Sequence, residues 1–132
     1  MKKTTTIFMA VLVILCAASI AMAEENISGV WEDVDPMAVN AQSVYAQFGN
    51  KVHATGYFEF QGAQPCVWLG TGTINGNKVE LTVIFSKKPS DPIWNGADGK
   101  YVLTLSPDGR TLSGTWYNKN GASGDKKIVK RK

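Results

Sequence analysis

Catalysis needs titratable or nucleophilic side chains that can converge, and this chain of 132 residues offers few: one histidine, His53, and two cysteines, Cys16 and Cys66. From Val52 to Phe60 polarity alternates, so Val52, Ala54, Gly56, Phe58 and Phe60 share one face and His53, Thr55, Tyr57 and Glu59 the other. That is the pattern of a half-buried antiparallel strand with His53 on its outer, polar side, which leaves a histidine-based triad or a multi-histidine metal site without support. Asp35, Asp91, Asp98 and Asp125 fall in segments that read as loops, where paired carboxylates could do acid and base work, but each is also an ordinary turn or cap residue. No calcium loop, phosphate-cradling glycine motif or nucleophile elbow occurs. The expectation is a binding protein, not an enzyme, with no metal and no cofactor.

The chemistry the chain does carry is aromatic. Trp31, Phe58, Trp68, Phe85, Tyr101 and Trp116 fall at inward phases of apparent strands, a lining suited to a flat or apolar small molecule. With Phe48 and Phe60 the inward aromatics number eight, enough to fill a small barrel, whereas inward Gly29, Gly56, Gly70, Gly72 and Gly114 open space; both outcomes stay open. A seventh candidate, Trp94, sits in the polar, two-proline stretch from Lys87 to Gly96. It serves either as a lid on a ligand or as the exposed anchor of a protein contact.

The elements that position these residues follow from period-two patterning. Val44, Ala46 and Phe48 fall together, as do Val79, Leu81, Val83 and Phe85, then Tyr101, Leu103 and Leu105, then Leu112, Gly114 and Trp116. Turn residues bound three weaker stretches around Trp31, Trp68 and Ile128, for a total of eight strands. Gly49-Asn50, Asn75-Gly76-Asn77 and Pro107-Asp108-Gly109 make short hairpin connections and predict an up-and-down meander. Only Asp35 to Asn40 hints at a helical turn, with Asp35 as its cap and Pro36 in first position.

Connections after strands one, three, five and seven read as long (Asp35–Ala41, Gln61–Pro65, Lys87–Asp98, Asn118–Asp125), and those after two, four and six as tight. Alternate connections of a meander lie at opposite ends. The expected fold is therefore all-β, an eight-stranded antiparallel up-and-down barrel, closed at one end by tight turns and open at the other as a cup. An outer-membrane barrel would share the loop asymmetry, but most of these strands are shorter than a bilayer crossing requires and the chain ends in Lys-Arg-Lys.

Lys2 and Lys3, the apolar run from Ile7 to Ile20 and the small-x-small site Ala21-Met22-Ala23 form a cleavable signal peptide over residues 1–23. The apolar run is too short to span a membrane. Leu15 before Cys16 does not fit a lipoprotein signal. The remaining 109 residues, 24–132, suit one domain in the periplasm or outside the cell. Of 14 basic residues 12 then stand against 11 acidic ones, a balance that does not suit nucleic acid. Lys126, Lys127, Lys130, Arg131 and Lys132 form one local excess, better read as a solvated last strand than as an anion-binding surface. Cys66 has no partner for an internal disulfide, so it is a buried small hydrophobe, an intermolecular bridge or a reactive thiol.

Ile27-Ser28-Gly29-Val30-Trp31 and Leu112-Ser113-Gly114-Thr115-Trp116 repeat one pattern, which places the apolar residue, Gly and Trp on one face. Here the chain resembles the calycin group, the lipocalins and avidins, whose first strand carries Gly-x-Trp and whose last strand offers a basic residue that packs over that Trp. Gly29, Trp31 and Arg131 or Lys130 stand at those positions. The chain departs from lipocalins in length, later motifs and the C-terminal helix, and no biotin-contacting residue carries over from avidins by position. The resemblance implies a cup-shaped barrel and ligand binding. Two functions are thus expected as alternatives: a cup for a small apolar or aromatic ligand, or a protein-binding module, such as a hydrolase inhibitor, acting through its loops.

Overall fold

The computed structural model describes residues 25–60, 65–86 and 97–132. The expected signal peptide, the 61–64 segment and the 87–96 segment with Trp94 and Asp91 lie outside the described residues, as does the side chain of Phe60. Eight strands follow in chain order: β1 (Gly29–Asp33), β2 (Ala38–Phe48), β3 (Lys51–Phe60), β4 (Cys66–Asn75), β5 (Lys78–Phe85), β6 (Gly99–Leu105), β7 (Thr111–Asn118) and β8 (Ser123–Lys130). Each pairs antiparallel with its neighbour in sequence, and β1 pairs with β8 to close the barrel, so the sheet keeps no free edge.

The expected glycine turns close one end. Gly49, Gly76 and Gly109 take φ of 60°, 60° and 68°, which hairpin geometry demands and which a side chain resists. The third turn is braced by side chains as well: Asp108 Oδ1 accepts from the Ser106 hydroxyl (2.5 Å) and from the Arg110 N–H (3.1 Å). Those two donors hold the Asp108 carboxyl below its ordinary range. Above these turns Ile27, Val52, Ile74, Val79, Leu103, Leu105, Leu112 and Ile128 are buried and fill this half of the barrel.

Above that layer, tryptophan is packed against glycine. A Cβ at Gly56 would stand 2.2 Å from Trp68 Nε1, so the indole occupies the room the missing side chain leaves. Trp31 is fully buried; its Nε1 donates to the Ile27 carbonyl (2.9 Å), and the Lys130 ammonium lies 5.7 Å above its ring. Of the two basic residues considered for that place, Lys130 takes it, while Arg131 pairs with Glu32 at the surface (3.4 Å).

Four expectations need correction. The helical turn over Asp35 to Asn40 is absent: Asp35 Oδ1 accepts from the Met37 N–H (2.8 Å) in an Asx-turn, and β2 already begins at Ala38. In β2 the inward residues are Ala41, Ser43 and Tyr45, while Val44 and Phe48 are 50% and 69% exposed. Two-residue turn geometry is the reason, because it pairs Phe48 with Lys51 and therefore Val44 with outward Thr55. The connections after β1 and β7 are shorter than expected, since β2 starts at Ala38 and β8 at Ser123. The basic last strand is not wholly solvated: Lys126 turns into the barrel with Ile128. Cys66 resolves to the buried alternative at 3% exposure.

The outer face of β2 to β5 carries the row Val44, Thr55, Leu69 and Ile84, opposed across successive strands, with the three apolar members about half exposed. Among the described residues no helix is long and apolar enough to cross a membrane.

Candidate functional site: an aromatic cavity over a buried ion pair

At the end away from the tight turns the described residues do not fill the barrel. A cavity of about 340 Å³ lies there, lined by Phe58, Phe85, Tyr101, Trp116, Lys126 and Asp33, with Asp35, Ala97, Tyr117, Asn118 and Asp125 around it. It falls within the range of small-molecule pockets, and its inner wall is chiefly aromatic. Period two explains the wall: Phe58 and Phe85 stand at inward phases near the ends of β3 and β5, and Tyr101 and Trp116 oppose each other on β6 and β7. Gly124 lies opposite Trp116 on β8, and a Cβ there would stand 2.8 Å from the indole, so glycine admits the ring.

Four of the seven residues expected to face a ligand, Phe58, Phe85, Tyr101 and Trp116, line this cavity together. Trp31 and Trp68 sit deeper in the packed core and do not reach it. Trp68 meets Tyr45 and Tyr101 edge to face, with ring centroids 6.4 and 5.4 Å apart, and Tyr45 meets Trp31 in the same way at 6.0 Å. Trp94 lies outside the described residues, as does the loop on which a protein-binding role was expected to rest.

Two functional candidates escaped the sequence reading. Asp33, at the end of β1, and Lys126, on β8, form an ion pair on the cavity wall, and their side chains are only 6% and 9% exposed. Asp33 uses both oxygens: Oδ2 accepts from Lys126 and Oδ1 from the Asp35 N–H (3.0 Å). The Lys126 ammonium also lies 5.4 Å from the Phe58 ring and 5.2 Å from the Tyr101 ring, so two aromatic faces supplement its one carboxylate. Period two held the signal, since Asp33 shares the phase of Trp31 and Lys126 that of Ile128. The charge run in which Lys126 stands concealed it.

A third polar group belongs to this region. Tyr45 is buried at 1% exposure, and its Oη has no hydrogen-bond partner among the described residues. Burial first, and then the Asp33 carboxylate, push the Tyr45 phenol well above its ordinary pKa. Tyr101 is raised by burial, by Tyr45 and by Asp33. Both phenols therefore stand in the field of one carboxylate that itself lines the cavity.

Of the aspartates weighed as possible acids and bases, Asp91 lies outside the described residues. Asp35 caps its turn, Asp98 Oδ1 accepts from the Phe85 N–H (2.9 Å), and exposed Asp125 alternates with inward Lys126. Among the described residues no three His, Cys, Asp or Glu side chains come close enough together to hold a metal ion. His53 is exposed on the outer face of β3. No protein-family model matches the chain, and a search of curated proteins finds no match either.

Proposed function

We propose that this chain is an exported, non-catalytic binding protein that holds one small apolar or aromatic ligand in the cavity at the long-connection end of its barrel. The observation that carries the reading is the unequal filling of the barrel: aliphatic side chains close the tight-turn half, while Phe58, Phe85, Tyr101 and Trp116 wall a space of about 340 Å³ in the other. Packed interiors seldom leave such a space, and aromatic walls with a few polar groups are the common composition of ligand pockets. Export rests on the leader pattern of residues 1–23 and places the protein in the periplasm or the medium.

Native mass spectrometry of the mature protein, purified from the periplasm or medium of its own host, tests this directly. A retained small-molecule mass that is lost in Trp116→Ala and Phe85→Ala is the expected result. A clean apo mass, together with no fluorescence gain from the neutral probe N-phenyl-1-naphthylamine, overturns the cup and turns the search toward a protein partner at the loops.

A further inference from the structure

We propose that the outer wall of β2 to β5 is the interface of a symmetric dimer, in which a second copy of this chain covers the row of Val44, Leu69 and Ile84. The inference is independent of the cup, because none of these residues lines the cavity. Three observations lead there. The first is apolar exposure. Val44, Leu69 and Ile84 stand level across the strands through Thr55, and Tyr57 opposes Val67 one row nearer the open end; these five large side chains are 40–54% exposed. A contiguous apolar patch of that extent is uncommon on a monomer and marks a contact surface.

The second is charge. The outward positions within 42–46, 53–57, 67–71 and 82–86 hold no Asp, Glu, Lys or Arg, whereas Lys51 and Glu80 stand on the next row toward the tight turns and Glu59 on the next row toward the open end. A two-fold axis sets a surface against itself, so an unbalanced charge in the patch meets its own sign; an uncharged centre inside a rim of both signs avoids that. A lipid surface favours a basic rim with tryptophan at its border, and this rim has acidic members and no outward tryptophan.

The third is area. The closed barrel leaves no strand edge for a copy to extend, so association falls to its faces. Covering the five side chains and the threonines beside them removes about 500 Å² from each copy, about 1,000 Å² in all, the lower bound of a specific interface. The dimer is therefore weak, with a dissociation constant of about 10–100 μM. A barrel wall is convex, so contact concentrates on the middle of the row, at Thr55 and Leu69.

Sedimentation velocity of the mature protein from about 5 to 500 μM should show monomer passing into dimer over that range. Leu69→Glu sets two carboxylates near the axis and Ile84→Glu adds one at each flank, and each should raise the dissociation constant by about tenfold or more. Ser113→Glu, exposed on the outer face of β7 across the barrel, should leave it unchanged. All three replace outward side chains, so the circular dichroism of the barrel should persist. A protein that stays monomeric throughout, a dimer that survives both Leu69→Glu and Ile84→Glu, or one that Ser113→Glu weakens equally overturns the proposal. Monomers that sediment with phosphatidylcholine vesicles, and no longer do so in Leu69→Glu, assign the face to lipid and overturn it as well.

Discussion

The Lys126 ammonium and the Asp33 carboxylate meet inside the barrel, one from the last strand and one from the first, where the sheet closes on itself. Each charge is tolerable there only because of the other. Lys126→Met leaves the Asp33 carboxylate buried without its cation and is expected to cost about 3–5 kcal/mol of stability. The double variant Lys126→Met/Asp33→Leu removes both charges and should recover most of that loss. Urea unfolding of the two single variants and the double one checks this; losses that simply add would show that the pair is not coupled.

The same pair marks how far the sequence can be read. Strand number, meander order and the closed end were legible because alternation and glycine turns are local signals. β2 misled because its apolar residues, Val44 and Phe48, face outward while Ser43 and Tyr45 face in. The two-residue turn at Gly49-Asn50 held the answer, since it ties the face of Phe48 to that of Lys51, opposite to inward Val52. The aromatic wall was legible at Phe58, Phe85, Tyr101 and Trp116. The charged part was not, because burial of Lys126 depends on Asp33, 93 positions away, and no local pattern records that pairing.

Tyr45 gives a stability prediction independent of any ligand. Its hydroxyl has no hydrogen-bond partner among the described residues, while its ring packs against Trp31 and Trp68. Tyr45→Phe should leave the unfolding midpoint unchanged or raise it, by up to about 1 kcal/mol. Tyr45→Ala should cost about 3–5 kcal/mol by opening a cavity between the indoles. Chemical denaturation separates the two variants, and a clear loss in Tyr45→Phe would mean that the hydroxyl is paired after all.

Gly56 and Gly124 each face an indole, but in different surroundings. Trp68 is buried, so the Cβ of Gly56→Ala, 2.2 Å from Nε1, forces it against a packed neighbour. The expected loss is about 1–3 kcal/mol. Trp116 is only half-buried and borders the cavity, so in Gly124→Ala it can yield. That variant should keep its stability better than Gly56→Ala and instead weaken binding of the neutral probe. Comparing denaturation midpoints with probe affinity for the two variants tests the contrast; equal loss of stability in both would contradict it.

The buried phenols set an upper pH limit on the fold. Tyr45 and Tyr101 are both raised above the ordinary tyrosine value of about 10, chiefly by burial. In the unfolded chain they lose their protons near that ordinary value, while in the barrel they keep them. Their contribution is therefore complete below about pH 10 and is lost progressively as the pH rises above it, because only the unfolded state then gains by ionising. Tyr45 and Tyr101, both buried, should ionise only together with unfolding. Absorbance near 295 nm followed alongside circular dichroism should show a phenolate step coincident with loss of structure. In Tyr45→Phe that step should shrink by one phenolate and move to higher pH, since one of the two groups that reward unfolding is gone. Absorbance that rises to its full extent with the barrel still folded would contradict the burial of both rings.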